Sequence, residues 1–196
     1  MKSYERYCDS SWDFADADTK QFTHCYHTYP AMMIPQVARK LIEEYRPDGR
    51  LQILLDPYMG SGTSLVEASI AGISSIGTDL NPHARMIARV KTSHYDEAAL
   101  RHRHAEMRSK QQNYTEGRVL NQNFDRISNR NYWYHKETLL QLSFLSQLID
   151  TLEEDVDFFR IALSEIVREA SFTRNNEFKR FRMPESKIAK FRPDVF

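Results

Sequence analysis

The chain has 196 residues, 41% of them hydrophobic and 28% charged, with 11 Phe, 10 Tyr and 2 Trp, which is enough apolar side chain for a core of ordinary size and excludes wholesale disorder. The length fits one domain, or one domain with an appendage. Its 27 basic and 27 acidic residues cancel overall, yet residues 1–98 hold 10 bases against 13 acids and residues 99–196 hold 17 against 14.

The first twenty residues are polar and acidic with scattered aromatics (Tyr4, Tyr7, Trp12, Phe14), and are expected to form an arm without regular structure. Acids at Glu5, Asp9, Asp13, Asp16 and Asp18 stand where a secretory signal needs an apolar stretch, and no run of 18 apolar residues occurs, so the expected location is the cytoplasm, with no membrane contact. Cys8 and Cys25 lack C-x-x-C spacing and read as reduced thiols. Val37, Ala38, Leu41, Ile42 and Tyr45 recur at helical spacing and predict a helix over 35–46, stopped by Pro47-Asp48-Gly49. Leu51, Ile53, Leu54 and Leu55 form a short apolar run between Gly49 and Pro57, expected to be a strand buried on both faces.

After a Gly60-Ser61-Gly62 turn, Leu65, Val66, Ala68 and Ile70 predict a second helix that ends at Gly72. Ile73 to Thr78 reads as a second strand, and Pro82 to Val90 as a helix with proline in its first turn. Strand, glycine turn, helix, strand, helix is one crossover unit of a parallel, doubly wound α/β sheet. Beyond it come expected helices over 97–112, 137–152 and 154–171, a loop over 121–131, and no further buried strand. A two-stranded parallel sheet is a poor core by itself. The expected organisation is therefore a polar arm (1–22), an α/β unit (23–95) and a helical region with a basic tail (96–196).

Chemistry concentrates at Asp56-Pro57-Tyr58-Met59-Gly60-Ser61-Gly62-Thr63-Ser64 and at Gly77-Thr78-Asp79-Leu80-Asn81-Pro82. Gly60 and Gly62 permit positive φ and remove Cβ atoms that would hold a ligand off the backbone. Ser64 and Glu67 fit a capping box. A carboxylate at the end of a buried strand needs the turn's amides or a ligand's amine or hydroxyl to satisfy it. Asp79, ending the second strand, is placed as the ribose-holding acid of this architecture, and Asn81 is suited to cap the helix opened by Pro82. No Lys follows Gly62, which removes a Walker A loop, and Leu65 replaces the third glycine of a dinucleotide fingerprint, which leaves a nicotinamide-dependent oxidoreductase as a remote option.

These two motifs, preceded by His27-Thr28-Tyr29-Pro30-Ala31-Met32-Met33-Ile34-Pro35, resemble the S-adenosylmethionine half of the amino-group DNA methyltransferases, which modify cytosine N4 or adenine N6. The resemblance covers residues 24–92 well and 132–183 loosely, with Tyr58 for the family's usual Phe and Ser64 for its second Thr. It implies a partial Rossmann-like methyltransferase sheet, and it implies that Asp56, Pro57, Gly60, Ser61, Gly62 and Thr63 wrap S-adenosylmethionine. Asp79, with Asn81 beside it, would hold the ribose, and Tyr29 and Pro30 would close over the methionine end. The family sets the target amine against a Ser/Asp/Asn-Pro-Pro-aromatic motif. All seven prolines here stand alone, so no catalytic residue is assigned. Two expectations follow: a part of a site-specific DNA methyltransferase that works with a second polypeptide carrying the Pro-Pro motif, or a non-catalytic cofactor-binding module or inactive remnant.

Four other features have more modest readings. Metal binding by His24, His27, His94, His102 and His104 is disfavoured, because His102 and His104 diverge on a helix. The aromatic run Asn131 to His135 is expected to seal a core, and Leu139 to Leu152 to form core or partner surface. The basic stretches at 99–130 and 171–196 are solvated surface, or contacts to DNA or to a companion chain.

Overall fold

A computed structural model describes residues 8–30, 32–46, 53–112, 114, 128–174 and 181–196. Ala31, Pro47-Asp48-Gly49, Leu51 and most of the expected 121–131 loop lie outside the described residues. The chain divides into two compact units, Met1–Ser93 and His94–Phe196.

In the first unit, α1 (Pro35–Tyr45) opens with proline at a position whose N–H has no helical partner, and it buries Pro35 and Ala38. Strands β1 (Ile53–Asp56) and β2 (Ser74–Gly77) pair in parallel, with Ile53 opposite Ser74 and Asp56 opposite Gly77, so their carboxyl ends lie level. Between them runs α2 (Thr63–Ile70), which buries Leu65, Val66 and Ala68. Gly72, in the left-handed region at φ +71°, ends it as the sequence predicts. Helix α3 (Pro82–Thr92) follows β2 and buries Ala84, Ile87, Ala88 and Val90. The Asn81 side chain caps α3 by accepting from the His83 N–H at 3.0 Å, as expected.

Two expectations are corrected. The strands are covered on one face only: Ile53, Leu55 and Ile76 are 57%, 66% and 56% exposed, whereas Leu54, Asp56, Ser75 and Gly77 are half-buried. Alternate side chains point to opposite faces, and α2 packs on only one of them. Nor is there a capping box at α2. Its N-cap is Gly62, Ser64 turns to Asp56, and Glu67 is buried among His24 and Arg39.

The acidic arm is held down more firmly than its composition suggests. A single 3-10 turn, Ser10–Trp12, is capped by Asp9. The Lys40 ammonium of α1 donates to the Ser11 carbonyl at 3.0 Å and lies 4.2 Å from the centre of the Trp12 ring, and Gln36 donates to the Asp18 carbonyl at 2.7 Å.

In the second unit, α4 (Glu97–Gln111) starts at Asp96, whose carboxylate accepts from the Ala98 and Ala99 amides. A single turn, α5 (Arg130–Trp133), leads into α6 (Lys136–Asp150), and α7 (Val156–Glu169) follows. Leu139, Leu140, Leu142, Leu148 and Ile149 of α6 are buried, which makes this stripe core. Tyr134 packs against Leu142, Ala170 and Val195 and donates its hydroxyl to the Val167 carbonyl at 3.0 Å, as a core-sealing aromatic should. An antiparallel bridge, Thr173 to Arg182, and a short helix, α8 (Glu185–Ile188), complete it.

Several of the bases are engaged internally. Arg103 pairs with Glu154 and Asp155, and Arg101 with Glu97. Arg182 donates to the Tyr132 carbonyl and lies 4.4 Å from the centre of that ring. Among the described residues no helix is long and apolar enough to cross a membrane.

Candidate functional site

The carboxyl ends of the parallel strands hold a connected polar network. Asp56, the last residue of β1, accepts from the Tyr58 amide at 3.0 Å through Oδ1 and from the Ser64 hydroxyl through Oδ2. The turn itself therefore satisfies this acid, one of the two possibilities open from sequence. Asp79 bridges the two motifs: Oδ2 accepts from the Gly60 amide at 3.0 Å and Oδ1 from the Asn81 amide at 2.7 Å. Backbone bonds from Met59 N to Thr78 O and from Thr78 N to Asp56 O lock the same turns together. Arg85, one turn into α3, donates to the carbonyls of Asp79 and Leu80.

The segment before α1 closes a third side. Asn81 Nδ2 donates to the Tyr29 hydroxyl at 3.1 Å, so one residue caps α3 and anchors this tyrosine. Tyr29, Met32 and Met33 join Asp56, Tyr58, Met59, Gly60, Ser61, Thr63 and Ser64 around a cleft of about 150 Å³. Tyr58 and Leu80, 90% and 99% exposed, stand on the two loops that flank it. A larger hollow of about 480 Å³ lies in the second unit, where Leu145, Ile149, Phe158, Phe159 and their neighbours make it mainly apolar, with Arg101, His104, Arg108 and Gln111 of α4 also in its lining.

The two glycines of the turn differ. Both have positive φ, +50° at Gly60 and +80° at Gly62. A Cβ on Gly60 would meet nothing within 4 Å, which leaves the space beside its Cα open. A Cβ on Gly62 would lie 2.7 Å from the Ala88 Cβ, so that glycine lets α3 pack against the turn. Gly77 has a similar duty, since a Cβ there would meet the Met59 sulfur and both Leu65 methyls at 3.0 Å or less.

Helix α2 also carries a buried ionic cluster that sequence reading does not anticipate. The Glu67 carboxylate, fully buried on α2, accepts from Arg39 Nε at 2.8 Å and contacts His24 Nε2 at 2.8 Å. Burial holds His24 below the usual histidine range, against the pull of Glu67 and with Lys91 and Arg39 adding to the depression. Glu67 raises Arg39 further above its ordinary value. Lys91 is buried near Met32 and Cys25, and burial pushes its amine down to about 8. The one legible signal was helical spacing, which puts Glu67 on the same face as apolar residues; its partners come from 43 and 28 positions away.

The histidines weighed as metal ligands are dispersed. His24 is on Glu67, His27 meets the His83 ring edge-on at 5.1 Å, and His102 lies 3.5 Å from Glu106. Among the described residues no group of three or more His, Cys, Asp and Glu is arranged to hold a metal ion.

Comparison with known proteins gives this geometry its relatives. Residues 1–90 match the N6/N4 methyltransferase family, described as DNA methylase. The chain is 39% identical over 194 residues to the type II methyltransferase M.MvaI of Kocuria varians, an alignment that takes in 93% of this chain and 42% of the relative. It is 37% identical over 90 residues to the type II methyltransferase M.MjaII of Methanocaldococcus jannaschii, covering 43% of this chain and 17% of that protein. The chain thus spans less than half the length of these relatives, and no solved structure matches it. These matches support the chain as a member of the amino-group (N6/N4) methyltransferase family.

Proposed function

We propose that the first unit binds S-adenosylmethionine in the cleft at the carboxyl ends of β1 and β2, as the cofactor-binding part of a site-specific DNA methyltransferase acting on cytosine N4 or adenine N6. The two parallel strands are then the start of a Rossmann-like methyltransferase sheet. One observation carries the reading: Asp79 is fixed by the Gly60 and Asn81 amides while the space beside the Gly60 Cα stays open. An ionised carboxylate has room for about four hydrogen bonds, so Asp79 retains capacity for a pair of ribose hydroxyls. This acceptor capacity fits the ribose of the cofactor.

Each residue's part follows from its position. Asp56 holds the turn in shape through Tyr58 N and Ser64 Oγ, and Ser61 and Thr63 contribute to the cleft wall beside it. Pro57 fixes the exit from β1, and Gly62 allows α3 to close beneath. Tyr29, positioned by Asn81, and Pro30 lie on the side where the methionine end would sit. Bound there, S-adenosylmethionine supplies a sulfonium-activated methyl group. The chain's residues orient that group and shield it, which is the larger part of what a direct displacement requires.

The base-holding Pro-Pro motif has no counterpart in these 196 residues. We assign it to a second polypeptide segment, with DNA as the substrate, in line with relatives more than twice as long as the aligned stretch. The second reading, a non-catalytic cofactor-binding module, is favoured by the same lack of Pro-Pro.

Calorimetric titration with S-adenosylmethionine, paired with a thermal melt, tests the assignment. Binding with a raised Tm is expected, because a ligand of the native state alone must stabilise it. Asp79→Ala should weaken binding by about 100-fold or more, the scale of losing two hydrogen bonds to a charged group. Unchanged affinity in a folded Asp79→Ala variant would refute the site.

A further inference from the structure

Helix α6 begins at a polar hollow of about 220 Å³ in the second unit, lined by His135, Glu137, Thr138, Gln141, Arg192 and Pro193. The first N–H groups of an α-helix have no intrahelical acceptor, and a side chain at the N-cap ordinarily takes one of them. His135 is the N-cap of this 15-residue helix and makes no such bond. The Lys136, Glu137 and Thr138 amides accordingly have no acceptor among the described residues. Thr138 is only 4% exposed, yet its hydroxyl has no partner among the described residues and still reaches the hollow. A hydroxyl so deeply placed is ordinarily hydrogen-bonded, so this one points to a partner that enters from outside.

Arg192 reaches the same hollow from 57 positions beyond His135. Its Nη1 donates to the Ala189 and Phe191 carbonyls at 3.2 and 2.8 Å, and His135 Nε2 lies 3.2 Å from that Phe191 carbonyl. These bonds fix the guanidinium, while Nη2 and Nε have no partner among the described residues. Glu137 is the one acid in the lining; it is exposed, and its carboxylate accepts from none of these donors.

We infer that this hollow is an oxyanion site that takes a phosphate group. The start of α6 supplies main-chain N–H donors and the positive end of the helix dipole, Thr138 a hydroxyl, and Arg192 a charged edge. A carboxylate offers two oxygens in one plane, whereas a phosphate directs its oxygens tetrahedrally and so engages helix, hydroxyl and guanidinium together. The sequence around Arg192 has the sign such a ligand needs, with seven bases against three acids over residues 171–196. A DNA backbone and a free phosphate compound share this chemistry. The inference does not rest on the cofactor cleft.

The test titrates the isotope-labelled 196-residue chain with inorganic phosphate, and separately with chloride at matched ionic strength, and follows amide resonances by NMR. Saturable shifts at Lys136, Glu137 and Thr138 are expected with phosphate alone. Arg192→Gln should weaken the apparent affinity about 10-fold, the scale of one charge-assisted hydrogen bond. Thr138→Val keeps the volume, removes the hydroxyl and should weaken it about 5-fold, while Thr138→Ser should restore it. Lys187→Gln, an equal loss of charge on α8 outside the hollow, should leave it unchanged. Thermal melts confirm that each variant is folded.

A second arm measures binding of a short DNA duplex by fluorescence anisotropy across salt concentrations. If the phosphate is DNA's, Arg192→Gln lowers the salt slope by about one and inorganic phosphate competes with the duplex. Saturation by phosphate with duplex binding equal in all variants assigns the hollow to free phosphate compounds. Amides of 136–138 that ignore phosphate, or a loss in Lys187→Gln as large as in Arg192→Gln, would overturn the inference. Titration with S-adenosylmethionine reads the cleft separately, so either assignment can fail without the other.

Discussion

A histidine whose proton affinity is lowered by folding makes stability depend on pH with a definite sign. His24 is buried against Glu67, with Arg39 and Lys91 as its other charged neighbours, and is held below its ordinary value. The unfolded chain therefore binds this proton first, and stability is lost as pH falls through the ordinary histidine range near 6.5. Denaturant melts at pH 7 and pH 5.5 should show a smaller drop for His24→Gln than for the unaltered chain. Lys91 follows the same rule at higher pH. Its amine titrates at about 8 when folded and near 10.5 when unfolded, so its burial costs most below pH 8 and nothing above 10.5. Lys91→Met should raise stability at pH 7 by up to about 3 kcal/mol, the free energy that separates those two titration points, with the gain vanishing near pH 10.5. An unchanged Tm at pH 7 in Lys91→Met would mean the amine finds solvent. Glu67→Ala should cost about 3 kcal/mol by leaving Arg39 and His24 without their acceptor, a loss readable by urea titration.

At the scale of an element, the turn from β1 into α2 sets both packing and access. Gly62→Ala places a methyl 2.7 Å from Ala88 and forces φ +80° on a residue with a Cβ, so a loss of about 3 kcal/mol or more is expected. Gly60→Ala meets only the backbone penalty of about 1 kcal/mol, because its Cβ points into open space. Thermal melts of the two variants should therefore separate, with Gly60→Ala folded yet weaker for S-adenosylmethionine. Equal melts would mean that α3 yields without cost. The adjacent start of α2 carries a related lesson. Ser64 and Glu67 have capping-box spacing, but Asp56 and the buried cluster compete for them and win, because a buried carboxylate without partners costs more than an uncapped helix start.

At the scale of the whole molecule, each of the two units has its own core. In the second, Leu142, Ala170 and Val195 close one cluster although they come from α6, the end of α7 and the far end of the chain. Leu142→Ala should cost about 3 kcal/mol and Val195→Ala about 1–2 kcal/mol, and the double variant should cost less than their sum because both open the same space. Additive losses in denaturant melts would show that the last residues pack elsewhere. In the first unit, the sheet has a core on one side only, with Ile53, Leu55 and Ile76 exposed on the other.

Much of this was legible in the order of residues. Helix periodicity placed α1, α2, α3, α4, α6 and α7 within about two residues, because an amphipathic stripe is a local property of a chain. The order of strand, glycine turn and helix, with acids at both strand ends, was legible for the same reason: Gly60, Asp56 and Asp79 act where the chain turns. Folding in three dimensions was needed to show that Asp79 holds the Gly60 amide, that Asn81 anchors Tyr29 across 52 residues, and that Gly62 serves α3. It gathered His24, Arg39 and Glu67, and it left Leu55 and Ile76 bare where an apolar run had suggested a strand enclosed on both sides. Local sequence specifies which residues repeat on one face of an element; what meets that face is fixed by distant residues brought together in the fold.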